Sequence, residues 1–350
     1  MQLEKLYPEC KYAVWGGEKL VGSFHKKSDL EKVAESWELS FHEAGPTKLS
    51  DGRLLKDVVT PTDLGKNCND FPFFPVLVKL IDANAKLSMQ VHPADDYALA
   101  HENSLGKTEM WYIADADEGA GIYLGFKQDI DKATFERAIR EKTLTDYLKF
   151  IPVKAGECYF IPAGTIHAIC EGCLICEIQQ NSNITYRVYD YGRVGADGKE
   201  RELHIDKALD VTSTREYIPT PLDIETREGT LKGISRFFTA TYVDVKVERS
   251  FATDPHSFRC FTCLSGEGVI GDVEICKGDS VFVPASYEEF CLSGEFTAIM
   301  TTVRRYSILE NDGETRLVND LGEILLSEPT CRGARARILA RSGLSESDIF

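Results

Sequence analysis

The sequence lacks long apolar runs, and it lacks an excess of basic residues. No stretch approaches the ~18 consecutive apolar residues of a membrane-spanning helix, and residues 1–20 lack the apolar core of a signal peptide. Lysine and arginine number 40 against 56 aspartate and glutamate residues, which gives a formal charge of −16. So acidic a surface argues against general binding of nucleic acids or anionic membranes. We therefore expect a cytoplasmic protein with neither nucleic acid nor membrane as a partner.

The eleven cysteines fit a reducing compartment better than a disulfide framework, because their number is odd. Cys170, Cys173 and Cys176 have the C-x2-C-x2-C spacing that occurs in zinc and iron–sulfur sites. Three cysteines do not complete a structural zinc site, which needs four ligands. We therefore favour a β-hairpin with Glu171 and Gly172 in its turn, in which the cysteines pack as small apolar residues.

Helical patterns are few, and short strand patterns fill most of the chain. Valine, isoleucine, tyrosine and phenylalanine are concentrated in short runs between glycine, proline and aspartate turns. The strand predictions include residues 74–82, 109–116, 121–126, 157–163, 184–191, 238–247 and 280–285. The helix predictions are residues 129–150 and 204–211, with 26–37 as a short helix or a loop. The pattern predicts an all-β fold of sandwich or barrel type with minor helices.

Two segments of the sequence are similar to each other. Residues 153–169 (VKAGECYFIPAGTIHAI) align with residues 275–291 (ICKGDSVFVPASYEEFC). Both contain a glycine followed by an acid, then an aromatic strand and Pro-Ala in the same order. We interpret them as two copies of one β-barrel module.

The two copies differ at residues that could bind a metal. Glu289 stands at the position of His167 in the alignment. Upstream, Phe258 is the counterpart of Glu109 when both are counted from the following Glu-Gly pair. A module that keeps its turns but loses these residue types indicates a division of labour. We expect the first copy to carry the chemistry and the second to support the structure.

A polar, proline-containing stretch near residues 210–230 is the expected domain boundary. The predicted domains are a catalytic, metal-binding module over 1–215, a degenerate second module over 216–320, and a tail of unknown role over 321–350. From about residue 325 the composition becomes basic and rich in alanine and arginine. This segment could be an amphipathic helix on the body or an extension that orders on contact.

Gln90, His92, Glu109 and His167 form the strongest candidate site in the first copy. They lie on three separate strand-like segments, and Gln90 and His92 share one face if residues 87–92 form a strand. Imidazole and carboxylate groups are ligands for Zn²⁺, Fe²⁺, Mn²⁺ and Co²⁺. A single histidine is more often structural than a ligand, so the spacing by itself leaves both interpretations open.

The sequence resembles type I mannose-6-phosphate isomerases, which are zinc enzymes of the cupin superfamily. The motifs are SMQVHP (88–93), GKTEMWYI (106–113), PAGTIHAI (162–169) and EIQQNSNITYRVYDY (177–191), with WGGEKL (15–20) and ESWELS (35–40) near the start. The resemblance extends from about residue 10 to 310 and is greatest to the short bacterial form. It implies two cupin-type β-barrel (jelly-roll) modules, and one Zn²⁺ per chain.

The resemblance also implies roles for individual residues. Gln90, His92, Glu109 and His167 match the family's metal ligands. Lys107, Arg187 and Glu177 match residues of its catalytic site. Asn183 is a departure, since many members carry aspartate there, and it cannot perform an acid–base role.

The expected activity is the interconversion of mannose-6-phosphate and fructose-6-phosphate. A proton would move between C1 and C2 through a cis-enediolate, with Glu177 or Lys107 as the base and Arg187 binding phosphate or stabilising the enediolate. The expected partner is a small-molecule sugar phosphate, and the chain is expected to be a monomer or a homodimer. Alternatives are another metal-cupin enzyme, either a sugar-phosphate isomerase or an oxygen-using dioxygenase, and a non-catalytic sugar-binding cupin.

Overall fold

Short strands in four sheets make up most of the structure, a computed structural model that describes residues 1–194 and 198–350. The strands are β1 (Glu4–Leu6), β2 (Glu9–Lys11), β3 (Glu35–Leu39), β4 (Val76–Ala83), β5 (Met89–Val91), β6 (Glu109–Ala116), β7 (Gly121–Phe126), β8 (Leu148–Pro152), β9 (Cys158–Ile161), β10 (His167–Ile169), β11 (Cys173–Gln180), β12 (Tyr186–Tyr189), β13 (Ile224–Glu225), β14 (Thr230–Ile234), β15 (Thr239–Val245), β16 (Arg249–Phe251), β17 (Arg259–Ile270), β18 (Val273–Cys276), β19 (Ser280–Val283), β20 (Phe290–Thr302), β21 (Tyr306–Asn311), β22 (Glu314–Asn319) and β23 (Ile324–Pro329). The helices are α1 (Lys19–Gly22), α2 (Leu55–Val58), α3 (Pro61–Leu64), α4 (Asp95–His101), α5 (Lys132–Arg140), α6 (Ile205–Val211) and α7 (Ala334–Ser342), with 3₁₀ turns at Lys66–Asp70, Leu144–Asp146 and Glu346–Asp348.

The first module consists of two facing sheets. One has the strand order β2-β3-β4-β11-β6-β9, and the other has the order β12-β5-β10-β7-β8. Trp111 of β6 and Ile122 of β7 share the core between these sheets. Met110, on the opposite face of β6, packs in the apolar layer shared with the second module. Because side chains alternate along a strand, Glu109 is in phase with Trp111 and faces the inside of the first module.

The second module is built on a nine-stranded sheet. Its main strand order is β1-β19-β17-β20-β15-β14-β13, with β16 paired to β20 and β18 to β17. Phe251, Phe261, Phe290 and Phe296 pack in its core. β1, from the start of the chain, pairs with β19 and so belongs to this nine-stranded sheet of the second module. The division into residues 1–215 and 216–320 stays a proposal, and β1 crosses it.

A small sheet and a helix form the end of the chain, from residue 306 onward. The sheet has the order β21-β22-β23, so residue 320 lies between its second and third strands. Ile338 of α7 packs with Leu317 of the small sheet and with Leu231 of β14 in one apolar cluster. The alternative of an amphipathic helix on the body is therefore confirmed for α7.

The predicted strands are present, with ends shifted by at most two residues, and the helix over 204–211 is α6. The helix predicted over 129–150 is shorter, because α5 ends at Arg140 and Lys142 adopts a left-handed backbone conformation (φ 59°). Asp131 caps its start by accepting a hydrogen bond from the Thr134 amide at 2.6 Å. Of residues 26–37, the first nine form a loop and the last three belong to β3.

The hairpin predicted around Gly172 is wrong in its pairing. Gly172 does lie in a turn, with φ of 88°, which favours glycine. However, β10 pairs with β5 and β7, whereas β11 pairs with β4 and β6. The turn therefore crosses from one sheet of the first module to the other. A local turn signal does not determine which strands become partners.

Strand register also corrects the comparison of the two copies. Glu109 pairs with Ile161, and Arg259 pairs with Val283. Ile161 and Val283 occupy equivalent positions, since each precedes the Pro-Ala of its copy. The counterpart of Glu109 is therefore Arg259, and the assignment of Phe258 is wrong by one residue. The count runs from β6 into a turn in the first copy but stays on β17 in the second, where the register shifts between Cys263 and Ser265, so equal counts do not mark equivalent positions.

Candidate active site

The four predicted ligands come together inside the first module. Gln90 lies on β5 and His92 directly follows it, while Glu109 and His167 begin β6 and β10. Strand pairing sets His167 opposite Gln90. His92, Glu109 and His167 are at most 1% exposed, and their ligand atoms lie within 4.8 Å of one another. Within the described ranges, no other three histidine, cysteine or carboxylate side chains are grouped this way.

Both imidazole rings are oriented by backbone carbonyls. His92 donates Nδ1–H to the Ile184 carbonyl at 2.7 Å, and His167 donates Nδ1–H to the Thr165 carbonyl at 2.9 Å. A carbonyl can only accept, so each Nε2 presents a lone pair to the centre of the site. Burial, with the charge of Lys107, lowers the pKa of both histidines, to about 4 for His167. Neutral imidazole is the form that binds metal ions.

The Glu109 carboxylate faces both lone pairs. Its Oε1 lies 3.3 Å from His167 Nε2, and its Oε2 lies 3.6 Å from His92 Nε2. Two ligand atoms of a tetrahedral zinc site are about 3.4 Å apart. Glu109 Oε1 is buried without a hydrogen-bond partner in the described structure, and burial raises the pKa of Glu109 to about 8. A divalent cation would satisfy these converging electron-rich atoms, so the three residues fit a metal ion.

Gln90 lies at the edge of this group. Its Nε2 is 3.4 Å from His167 Nε2. An amide can be rotated by 180° with little change in shape, and that rotation would present Oε1 to the same point. Gln90 is partly exposed, unlike the three buried ligands. This position suits a ligand at the open side of a metal site.

Lys107 and Glu177 extend the site inward. The Lys107 ammonium contacts Glu109 and lies 3.2 Å from His92 Nε2 and 3.6 Å from Glu177 Oε1. Burial works to lower the pKa of Lys107, but Glu109 and Glu177 outweigh it and raise this pKa. Burial works to raise the pKa of Glu177, but Lys107 and Lys79 outweigh it and lower this pKa. Basic and acidic side chains therefore alternate through the interior of the site, in the order Lys79, Glu177, Lys107 and Glu109.

Lys79, Glu35 and Trp111 belong to this network, although the sequence analysis did not single them out. Lys79 Nζ lies 3.6 Å from Glu177 and 3.3 Å from Glu35. Trp111 donates its indole N–H to Glu177 at 2.9 Å and meets the His167 ring edge-on. One signal was available, because Lys79 interrupts the apolar run FPVLVKLID and a buried lysine needs a partner.

Arg187 lies on β12, beside the ligand strand, with Gln90 as its Cα partner. Its Nε donates to Ser88 Oγ at 3.1 Å. Arg193 and Arg201 lie nearby and share the carboxylate of Asp190. Burial, together with Arg201, lowers the pKa of Arg187. In the part of the chain that is described, Arg187 forms no ion pair with a carboxylate, so its charge can serve an anionic ligand.

The cysteines do not form a second metal site among the described residues. Cys173 packs in the core of the first module, whereas Cys176, three residues along β11, faces the layer between the modules. Cys260 and Cys263 repeat the C-x2-C spacing on β17 and again lie in two different clusters. Strand alternation separates such pairs. All eleven thiols are free.

Comparison with known proteins identifies the same family in both modules. A model of the type I phosphomannose isomerase catalytic domain matches residues 3–120, and one of the mannose-6-phosphate isomerase cupin domain matches residues 228–303. The probable mannose-6-phosphate isomerase GmuF of Bacillus subtilis (strain 168) is 36% identical over 304 residues, which cover 83% of this chain and 95% of the relative. The chain belongs to the type I phosphomannose isomerase family.

Solved structures agree with this phosphomannose isomerase assignment. The mannose 6-phosphate isomerase of Bacillus subtilis is 32% identical with a TM-score of 0.78, and the match covers 86% of this chain and 99% of that one. A mannose 6-phosphate isomerase bound with zinc and yttrium shares the fold, at 16% identity and a TM-score of 0.69, over 86% and 99% of the two chains. The predictions of an all-β, cupin-type fold and of an enzyme of this family are confirmed.

None of the described helices has the length and apolarity needed to cross a membrane.

Proposed function

We propose that this phosphomannose isomerase interconverts mannose-6-phosphate and fructose-6-phosphate at a zinc site formed by His92, Glu109 and His167, with Gln90 as a fourth ligand. The observation that carries the proposal is the convergence of three buried donor groups, whose atoms lie within 4.8 Å. Two imidazoles and a carboxylate are a donor set of catalytic zinc sites. Membership of an isomerase family disfavours the non-catalytic alternative.

The metal would supply electrophilic stabilisation, because a divalent ion can offset the negative charge of a cis-enediolate at C1 and C2. The protein's own side chains would bind the sugar and move the proton. Lys107 reaches the ligand atoms directly, whereas Glu177 lies between Lys107 and Lys79. We therefore assign Lys107 to contact with the reacting sugar and Glu177 to holding Lys107 in place.

Arg187 would bind the phosphate or the developing negative charge. Guanidinium groups bind phosphate oxygens bidentately, and Arg193 and Arg201 add positive charge around it. Asn183 is exposed and neutral, so no proton transfer is assigned to it. A cytoplasmic location and a monomeric or homodimeric state stay part of the proposal, and the eleven free thiols support the location.

The deciding experiment measures fructose-6-phosphate formation from mannose-6-phosphate. Activity should disappear after chelation and return with one equivalent of Zn²⁺ per chain. Metal analysis of the purified protein would distinguish zinc from iron. A metal-loaded enzyme that produces no fructose-6-phosphate would refute the proposed function.

A further inference from the structure

Two buried glutamines at the end of β11, Gln179 and Gln180, connect the segments that carry the candidate ligands. Both are at most 1% exposed. Long polar side chains are rarely buried this fully unless hydrogen bonds hold them. Strand alternation directs the two side chains to opposite faces of β11. Each can therefore support a different part of the site.

Gln179 holds the turn that orients His92. Its Nε2 donates to the carbonyls of Gln180 and Ser182, both at 2.7 Å. These two bonds close the turn just before Ile184, whose carbonyl receives the His92 Nδ1–H. Without the Gln179 amide, the Ser182 carbonyl would lose this donor, and the Gln180 carbonyl would keep only the bond from the Ser182 backbone amide at 2.7 Å. His92 would then lose the fixed position of its acceptor.

Gln180 joins the segment after His92 to the segment before Glu109. Its Oε1 accepts from the Thr108 amide at 2.8 Å, and its Nε2 donates to Asp95 Oδ1 at 2.7 Å. The same Asp95 oxygen accepts from the Gly106 amide at 2.8 Å. Gln180 thus closes a network that fixes the backbone on either side of Lys107.

We propose that Gln179 and Gln180 are positioning residues that keep His92 and Glu109 at metal-binding distance. The proposal rests on the proposed function, since it takes His92 and Glu109 to be ligands. Neither glutamine has to touch the metal. Residues that orient metal ligands typically change metal affinity by about 10- to 100-fold when they are replaced.

The test replaces each glutamine with methionine, which has a similar volume and forms no comparable hydrogen bonds. For Gln179→Met and Gln180→Met we expect Zn²⁺ affinity to fall about 10- to 100-fold in competition with a chromogenic chelator. The visible absorption of the Co²⁺-substituted protein should also change, because it reports ligand geometry. Asn67→Leu is the matched control. Asn67 has a buried side-chain amide, which donates to the Val303 carbonyl of the second module at 2.8 Å.

The Asn67→Leu protein should lose stability but keep its Zn²⁺ affinity and Co²⁺ spectrum. Glutamine variants with wild-type affinity and spectrum would overturn the positioning role while leaving the proposed function intact. Failure of the unchanged protein to bind Zn²⁺ would instead overturn the proposed function.

A measurement on the unchanged chain covers the case in which the variants do not fold. Added Zn²⁺ should slow amide hydrogen exchange in residues 106–109 and 180–184 more than in residues 259–263 of β17. Equal slowing in all three segments, or none in the first two, would also contradict the positioning role.

Discussion

At the position where the first module has Glu109, the second has Arg259. Both side chains are buried at the start of a long central strand. In the first module the carboxylate faces two imidazole lone pairs and keeps one oxygen without a hydrogen bond in the described structure. In the second, Arg259 forms an ion pair with Glu228. The first arrangement leaves Glu109 Oε1 available to a metal ion beside the Lys107 contact, whereas the second places a paired guanidinium at the equivalent position.

The surroundings of these two positions reinforce the difference. Arg304 pairs with both Asp254 and Glu228, so the buried charges of the second module are matched within the module. His167 is fully buried, whereas its counterpart Glu289 is exposed. The two modules share an equivalent strand and turn, and the side chains at a few equivalent positions separate the candidate catalytic centre from the structural support.

The largest expected effect separates the two modules directly. His167→Ala should remove metal binding and lower kcat/KM by about 10³-fold or more, because the metal supplies several kcal/mol of charge stabilisation. Glu289→Ala, at the equivalent position, should leave both nearly unchanged. Metal content and isomerase rates on the two variants check this. Equal losses of metal and activity in the two variants would contradict the proposed division of labour between the modules.

Arg259→Met should affect stability instead of chemistry. The substitution removes the closer of the two guanidinium partners of Glu228 and leaves Arg304 at 3.4 Å, so we expect a loss of about 2 kcal/mol in the free energy of unfolding. The remaining folded protein should keep its kcat and its metal. Denaturant unfolding and rates measured well below the transition provide the comparison. A change in kcat without a change in stability would assign a direct role to the second module.

Arg187→Met should weaken sugar-phosphate binding. A hydrogen bond to a charged group contributes about 1.5–3 kcal/mol, so kcat/KM should fall about 10- to 100-fold, mainly through KM. Arg305→Met is the control. Arg305 donates its Nε–H to the Asp70 carboxylate at 2.8 Å, and this pair lies outside the candidate site. Steady-state kinetics on both variants would decide, and a larger loss in the control would contradict the assignment of Arg187.

The smallest effect is expected at the cysteines. Cys173→Ala should leave metal content at one ion per chain, since Cys173 and Cys176 face different clusters. The isomerase rate should also stay close to that of the unchanged protein. Elemental analysis checks the prediction, and loss of one metal equivalent would restore the cysteine site as an alternative.

Strand positions and the candidate ligands could be read from the chain because both depend on local patterns. Short runs of β-branched and aromatic residues between turns predicted β6 and β7 to the residue, and the order of short motifs pointed to Gln90, His92 and Glu109. Pairing partners could not be read in this way. The turn at Gly172 looked like a hairpin, yet its two strands belong to different sheets. Which edges meet is a property of the packed sandwich.

The sequence by itself predicted the all-β class from residue type, the two-copy organisation from repetition, and the candidate metal ligands from the motifs shared with a known family. Only the tertiary structure decided that Arg259 occupies the position equivalent to Glu109. It also decided that Lys79 joins the network of buried charges around Glu177. It also decided how the ligands are held, through the Ile184 carbonyl on His92 and the Gln180 side chain on Thr108. These contacts join residues far apart in the chain, and hydrogen-bond partners of that kind exist only once the sheets have packed.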